Sequence, residues 1–228
     1  MDMDDIFKKA LKKKQRPMEV GVFHASGISG CPRKIYYGYI FPKEYDLKTL
    51  KIFHIGHKIH ELLQKLIEEN SEFERVEVEK PVMVTDIETD LNIHGRIDLV
   101  GYNKTDKIVV EIKSINSLHY IEEDNKPNQH HVEQLQVYLR CMRAKKGLLV
   151  YVEKSNLNIK TFYVEYDDEL FKNILKRLRL IYKCQKEGSS PNRIDGYPSN
   201  WECRYCKFKK ECSSEGDKNG GIEICGKV

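Results

Sequence analysis

The sequence predicts an α/β domain in which a mixed central β-sheet is flanked by helices. The prediction rests on two observations: the spacing of apolar residues changes from a helical to a strand period along the chain, and the predicted elements alternate. From residue 49 onward their order is helix, three strands, helix, two strands, helix and a short cysteine-rich tail. A chain of 228 residues suits one domain, or one domain with a small appendage.

Three helices are predicted before the first strand. The charged N-terminal segment is expected to be helical as far as Arg16 and Pro17. Residues 31–40 predict a second helix, because Pro32 is tolerated in a first turn. Residues 49–69 show the clearest helical period. The apolar stripe of this third helix comprises Ile52, Ile55, Ile59, Leu62, Leu63, Leu66 and Ile67.

The remaining elements follow from the change in period. Strands are predicted at residues 76–84, 91–102, 107–115, 147–153 and 158–166. Residues 103–106 form the expected hairpin turn between the second and third of these strands. Helices are predicted at 129–146 and 168–186, the latter capped by Asp167 or Asp168.

Composition excludes several classes of protein. With 40% hydrophobic and 32% charged residues, the chain is expected to be soluble and globular rather than disordered. Apolar runs such as residues 148–152 are far shorter than the ~20 residues that span a membrane. The N-terminus lacks the apolar core of a secretory signal. We therefore expect a cytoplasmic protein without a membrane partner.

The net charge of +4 is too small to indicate nucleic-acid binding by itself. Its distribution is more informative, because basic residues cluster at 8–16 and again at 172–186. Each cluster fits either a phosphate-binding face or a solvated helix face.

The residues with the clearest chemistry are Asp98, Glu111 and Lys113. Side chains alternate along a strand, so Glu111 and Lys113 should share one face, and Asp98 can reach it if the two strands form a hairpin. Two carboxylates can hold Mg²⁺ or Mn²⁺, and a lysine can orient water or neutralise charge on a phosphate. A Glu-x-Lys pair on a strand can equally be a surface ion pair.

Helical residues on either side of these strands could complete such a site. His60 lies beside the apolar stripe and could supply a nitrogen ligand. His54, His57 and His60 are spaced three residues apart, so the helix offers three candidates. Gln134 and Tyr138 are four residues apart and share a helix face, where they could hold a phosphate or the lysine. A structural histidine and a packed tyrosine are the alternatives.

The tail contains the pattern C-x2-C-x5-C, formed by Cys203, Cys206 and Cys212. The chain has seven cysteines, and an odd count with one tight cluster argues against a disulfide framework. From spacing alone, zinc held by four thiolates is the more common outcome and an iron–sulfur cluster is the alternative. Cys31, Cys225 or another cysteine could be the fourth ligand.

The ordered motifs G-x-x-x-H, G-R-I-D, E-I-K and Q-x-x-x-Y resemble those of the RecB-type branch of the PD-(D/E)XK nucleases, over residues 50–140. Ile97 stands where the superfamily motif has proline. The resemblance implies a restriction-endonuclease-like core. It also implies that His60, Asp98 and Glu111 bind Mg²⁺ or Mn²⁺, with the carbonyl of Ile112 as an additional candidate ligand. Lys113 would be catalytic, and Gln134 and Tyr138 would support it.

A second resemblance extends over residues 26–212. One cysteine before the nuclease motifs and a C-x2-C-x5-C triplet after them are similar to the iron–sulfur RecB-like nucleases, above all the CRISPR-associated exonuclease family four. It implies that Cys31, Cys203, Cys206 and Cys212 hold a [4Fe–4S] cluster in a small cap, with [2Fe–2S] or zinc as lesser alternatives. Residues 1–195 would form the nuclease domain and residues 196–228 the cluster segment.

The resemblance implies a metal-dependent DNA exonuclease that acts on single-stranded DNA or single-stranded ends, 5′ to 3′. It implies spacer acquisition with CRISPR integrase proteins as the setting. A stand-alone or viral recombination or repair nuclease, a ribonuclease, a flap endonuclease and a non-catalytic metal-containing DNA-binding module are the alternatives. Four aromatic residues near Cys31 either stack bases or belong to the core: Tyr36, Tyr37, Tyr39 and Phe41.

Overall fold

A computed structural model describes residues 2–11, 19–41 and 45–215, and Cys225 and residues 12–18 lie outside these ranges. In the described chain, six strands form one sheet: β1 (Val22–His24), β2 (Arg75–Thr85), β3 (Asn92–Tyr102), β4 (Lys107–Ile115), β5 (Lys146–Glu153) and β6 (Ile159–Glu165). The order is β1-β3-β4-β5-β6, with β2 also paired to β3. Parallel and antiparallel pairs occur together, which confirms the predicted mixed sheet.

The helices of the same residues are α1 (Met3–Leu11), α2 (Pro32–Ile40), α3 (Leu47–Asn70), α4 (His119–Asp124), α5 (Gln129–Met142), α6 (Asp168–Glu187), α7 (Trp201–Arg204) and α8 (Lys209–Glu215). Asp46, Asn128 and Asp167 cap α3, α5 and α6 by accepting hydrogen bonds from first-turn amides. α5 ends four residues earlier than predicted, because Arg143 turns into the left-handed region at φ 49°.

Helices cover both faces of the sheet, as the sequence predicts. One apolar cluster joins the sheet to α2, α5 and α6 through side chains such as Ile97, Leu135 and Leu178. A smaller cluster joins the other face to α3, where Ile59 and Leu63 pack with Ile112 of β4. No helix of the described ranges is both long and apolar enough to cross a membrane.

The aromatic residues after Cys31 are part of the core. Tyr36 and Tyr37 are 4% and 3% exposed, and Tyr39 and Phe41 pack against the same cluster. Tyr37 lies 5.8 Å from the ring of Phe208 in the tail. The base-stacking alternative is therefore wrong, because all four side chains pack into the core, and Phe208 of the tail packs against Tyr37 and Phe41.

At least four of the six basic residues of α6 form ion pairs, which leaves no continuous phosphate-binding face on this helix. Arg177 pairs with Glu133, and Arg179 pairs with Asp86 and Glu88. Lys172 and Lys183 pair with acids on α6 itself. The structure therefore favours the second alternative for this cluster, and most of the N-terminal cluster lies outside the described residues.

Candidate active site and cysteine pocket

The candidate site lies where β3 and β4 separate. The strands pair from Tyr102 opposite Lys107 as far as Leu99 opposite Val110. The next pair in this register would be Asp98 opposite Glu111, but there the carboxylate of Asp98 replaces the backbone partner. Its Oδ2 accepts a hydrogen bond of 2.7 Å from the amide of Ile112. The opening of the ladder brings two carboxylates together inside the sheet.

Glu111 is the most buried acid of this group, with 2% of its surface exposed. Its Oε1 lies 2.7 Å from Nζ of Lys113 and accepts a 2.7 Å hydrogen bond from Nε2 of Gln134. Its Oε2 is buried and has no hydrogen-bond partner. Burial raises the pKa of Glu111 to about 8, although the charge of Lys113 opposes the shift. A buried acceptor oxygen without a donor is costly, and a bound cation would satisfy it.

Lys113 is held by two partners on the same face of the sheet. Its ammonium group lies 2.7 Å from Glu111 and donates a 2.7 Å hydrogen bond to Oε1 of Gln134. Nε2 of Gln134 also donates to the phenol of Tyr138, at 3.0 Å. Burial raises the pKa of Tyr138 above its usual range, so the phenol stays protonated. Four residues that the sequence predicted as neighbours are thus in one hydrogen-bonded network.

His60 comes to the same place from the opposite layer. Its Nδ1 is 3.3 Å from Oδ1 of Asp98, whereas His57 pairs with Glu61 on the exposed side of α3. Gln64, one turn after His60, donates to the carbonyl of Asp98 at 2.9 Å. Sequence reasoning missed Gln64, and its spacing of four residues from His60 was the available signal.

Two motif glycines allow these close approaches. A Cβ atom on Gly56 would lie 2.8 Å from Oγ of Ser114, so the glycine lets α3 approach β4. A Cβ atom on Gly95 would lie 2.4 Å from Cε1 of Tyr138. Both values are shorter than real contacts of a Cβ atom with a neighbour. The glycines of G-x-x-x-H and G-R-I-D are therefore required by packing around the site.

Two further side chains, those of His131 and Tyr151, lie beside Lys113. His131 is three residues before Gln134, so the sequence offered it as a further member of that helix face, whereas sequence reasoning missed Tyr151. Nδ1 of His131 is 3.0 Å from the hydroxyl of Tyr151. Burial and the charge of Lys113 lower the pKa of His131 to about 3, so its ring is neutral. Tyr151 also accepts a 2.9 Å hydrogen bond from the amide of Asn128, the cap of α5. Tyr151 thereby fixes the helix that carries Gln134.

The side chains of Asp98, Glu111 and His60 suit a divalent cation in their chemistry, although their donor atoms do not converge on one point. Within residues 2–11, 19–41 and 45–215, no three His, Cys, Asp or Glu side chains are arranged to hold a metal ion. Asp98 and Glu111 nevertheless present hard carboxylate oxygens, of which Oε2 of Glu111 has no other partner. His60 adds a nitrogen donor beside Asp98. Such oxygen-rich sets bind Mg²⁺ or Mn²⁺.

The four predicted cluster cysteines line one pocket. A cavity of about 350 Å³ is lined by Cys31, Cys203, Cys206 and Cys212. None of these four cysteines forms a disulfide. Arg33 in the same lining is 1% exposed, and its Nη1 lies 3.7 Å from Sγ of Cys212. Burial raises the pKa of Cys31 to about 11, so this thiol is protonated at neutral pH. Like the carboxylates of the candidate active site, these thiols do not converge on one point that could hold a metal ion.

The tail is fastened to the N-terminal segment beside this pocket. Oε2 of Glu202 accepts a 3.0 Å hydrogen bond from the amide of Cys31. A Cβ atom on Gly30, at φ 86°, would lie 2.5 Å from the same oxygen. The segment around Cys31 therefore meets the tail beside these cysteines, as the resemblance to the iron–sulfur nucleases implies.

Comparison with known proteins agrees with this geometry. Residues 54–213 match the family model described as the PD-(D/E)XK nuclease superfamily. The chain is 28% identical over 205 residues to the CRISPR-associated exonuclease Cas4 of Saccharolobus solfataricus, covering 86% of this chain and 90% of the relative.

Two solved structures have a similar fold. The crystal structure of SSO0001 matches with a TM-score of 0.62 and 24% identity, over 93% of this chain and 96% of that one. LHK-Exo, an alkaline exonuclease from Laribacter hongkongensis solved with dAMP, matches with a TM-score of 0.54 and 14% identity, over 74% and 90%. The family match covers well over half of the chain and contains Asp98, Glu111 and Lys113, which lie where β3 and β4 separate. The chain is therefore a nuclease that belongs to the PD-(D/E)XK nuclease superfamily.

Proposed function

We propose that this nuclease is a metal-dependent DNA exonuclease that degrades single-stranded DNA or single-stranded ends from 5′ to 3′. The observation that carries the proposal is the buried Oε2 of Glu111, which has no hydrogen-bond partner, in a residue that lies beside Asp98 and is ion-paired with Lys113. The exonuclease name of the Saccharolobus solfataricus relative supports the exonuclease activity, and the dAMP in the LHK-Exo structure supports a DNA substrate.

Asp98, Glu111 and His60 are the proposed ligands of Mg²⁺ or Mn²⁺. Such an ion, when bound, polarises the phosphate and lowers the pKa of a bound water. Asp98 is fixed by the amide of Ile112, and Gln64 holds the backbone of Asp98 in place. The separation of β3 and β4 therefore fixes the position of Asp98 before substrate binds.

Lys113 is the proposed catalytic cation. Its ammonium group orients the attacking water and neutralises negative charge that gathers on the phosphorus oxygens in the transition state. The water oxygen bonds to phosphorus, a P–O bond of the phosphodiester breaks, and the leaving oxygen takes a proton. Gln134 and Tyr138 are positioning residues, since their hydrogen bonds fix the ammonium group of Lys113.

The cysteine pocket is the proposed site of a [4Fe–4S] cluster, with [2Fe–2S] or zinc as alternatives. Four thiols around one cavity and the buried guanidinium of Arg33 support an anionic cluster there. The cluster would join residues 1–195, the nuclease domain, to residues 196–228, the cluster segment. Its role would be structural. Anaerobic purification tests this: a band near ~400 nm and about four irons per chain support the cluster, and a colourless protein with about one zinc contradicts it.

The proposed setting is the cytoplasm, in CRISPR spacer acquisition beside integrase proteins. The name of the Saccharolobus solfataricus relative supports this setting. A stand-alone or viral nuclease of recombination would have the same catalytic residues. Copurification with integrase proteins from the native host distinguishes the two settings.

The activity is tested on single strands labelled at the 5′ or 3′ end, on duplexes, on circular single strands and on RNA. We expect metal-dependent loss of the 5′ label from linear single-stranded DNA first, and no cleavage of circles. Lys113→Ala should lose at least about 100-fold in rate, whereas Lys107→Ala on the same strand should not. Full activity of Lys113→Ala would contradict the site. A wild type that binds DNA without cleaving it would favour the non-catalytic binding module.

A further inference from the structure

Two large aromatic side chains of the tail are exposed to solvent. Trp201 is 61% exposed and Tyr205 is 86% exposed. They lie four residues apart across the single turn of α7. Trp201 is the only tryptophan of the chain. The aromatic residues after Cys31, by contrast, are buried or packed against the core.

Contacts of Trp201 connect this exposed pair to the candidate active site. The indole lies against the ring of His130, with 6.1 Å between ring centroids and an interplanar angle of 35°. His130 belongs to the first turn of α5, one helical turn before Gln134. The next residue, His131, is close enough to Lys113 for the lysine charge to lower its pKa. Trp201 therefore contacts a residue that lies one helical turn before Gln134, and Gln134 holds the proposed catalytic lysine.

The surroundings of the pair are basic. The segment 203–210 contains no acid, and its exposed cations are Arg204, Lys207, Lys209 and Lys210. Two acids flank this segment: Glu202 directs its carboxylate to the amide of Cys31, and Oε2 of Glu211 is buried. Exposed aromatic rings among cations are the features by which proteins hold single strands: the rings stack on bases and the cations hold phosphates.

We propose that Trp201 and Tyr205 form a base-stacking platform that holds single-stranded DNA beside the active site. The inference rests on the proposed function, because it assigns part of that function's substrate binding to the cysteine-rich tail. An unpaired strand is the occupant, since the bases of a duplex are already stacked on one another. The positive segment 203–210 complements its phosphates.

The test is the affinity of the full, cofactor-loaded chain for a fluorescent oligothymidylate, measured by anisotropy in EDTA. Trp201→Ala and Tyr205→Ala should each bind about 5- to 100-fold more weakly than the wild type. Trp201→Phe should retain most of the affinity. Tyr163→Ala, which removes a 70% exposed tyrosine from β6, is the matched control and should bind normally.

A strand of equal length without bases separates stacking from charge. The wild type should bind this abasic strand more weakly than oligothymidylate, and Trp201→Ala should bind the two more nearly alike. Fluorescence of the single tryptophan should be quenched by oligothymidylate and not by the abasic strand. Equal affinity of Trp201→Ala and Tyr163→Ala, or equal affinity of the wild type for both strands, would overturn the platform.

Failure of the platform and failure of the proposed function give different results. Cleavage by the wild type with normal oligothymidylate binding by Trp201→Ala overturns the platform alone. Base-dependent binding without cleavage under Mg²⁺ or Mn²⁺ supports the platform and overturns the exonuclease. Tighter binding of single-stranded RNA than of DNA would overturn the assignment of the platform to DNA.

Discussion

Replacing Gly95 by alanine tests whether packing around Tyr138 sets the geometry of the active site. The added Cβ atom would lie 2.4 Å from Cε1 of Tyr138 and 3.3 Å from Cβ of Ala25. Carbon atoms in contact are about 3.5–4.0 Å apart, so the tyrosine ring would have to move by more than about 1 Å. Tyr138 is 2% exposed and cannot move freely into solvent.

Two effects should follow in Gly95→Ala. Overpacking at a buried ring should lower the free energy of unfolding by about 1–3 kcal/mol, measured by urea denaturation. Movement of the Tyr138 hydroxyl would weaken the hydrogen bond that Gln134 donates to it. Gln134 would then hold Lys113 less firmly, because its Oε1 accepts a hydrogen bond from the ammonium group of Lys113. Misplacement of such a group by about 1 Å should lower the rate of DNA cleavage about 10- to 100-fold.

A second glycine provides the control. A Cβ atom on Gly27 would have no heavy atom within 4 Å, so Gly27→Ala should change stability by less than about 0.5 kcal/mol. In a Tyr138→Leu background, the cost of Gly95→Ala should fall by about 1 kcal/mol or more, because the clashing ring is gone. Equal effects of the two glycine replacements, or an unchanged cost in the Tyr138→Leu background, would refute the packing argument.

Three further predictions concern buried charges. The raised pKa of Glu111, to about 8, means that the metal-free folded state takes up a proton that the unfolded state has released. Stability should therefore fall from about pH 5 to about 8, by at most about 1.4 kcal/mol per pH unit relative to Glu111→Gln, in urea titrations with EDTA. Arg179→Met leaves the buried Asp86 carboxylate without its main partner and should lower the free energy of unfolding by about 2–3 kcal/mol. As a control, Lys172→Met removes only exposed ion pairs and should leave the unfolding midpoint nearly unchanged. Arg33→Met removes a 2.6 Å hydrogen bond to the carbonyl of Pro191 and should lower the free energy of unfolding by about 1–3 kcal/mol; an unchanged midpoint would show that this buried guanidinium is dispensable.

The sequence predicted which residues meet in the site because their order and periods carry that information. Alternation along β4 put Glu111 and Lys113 on one face, and the hairpin brought Asp98 to them. A helix period of four placed Gln134 beside Tyr138. The mixed sheet followed from the alternation of elements. Their roles in catalysis remain predictions for experiment.

Other parts depend on contacts distant in sequence, which no local pattern contains. β1 has only three residues and is a strand because Val22–His24 pairs with β3. The separation of β3 and β4 arises from one side-chain hydrogen bond of Asp98. Tyr36 and Tyr37 were candidates for base stacking, yet both are buried in the core, and Phe208 of the tail packs against Tyr37. The helices α7 and α8 have four and seven residues, too few to form a core that would cover Trp201.

The most direct test of the central claim is cleavage of end-labelled single-stranded DNA by the wild type and by Asp98→Asn as Mn²⁺ is titrated from zero. Asparagine keeps the size of the side chain and removes the charge that a cation needs. We predict that the wild type cleaves only with Mn²⁺ or Mg²⁺, and that Asp98→Asn loses at least about 100-fold in rate at every concentration. Equal cleavage by the two proteins, or full cleavage by the wild type in EDTA, would contradict a metal-dependent site at the break between β3 and β4.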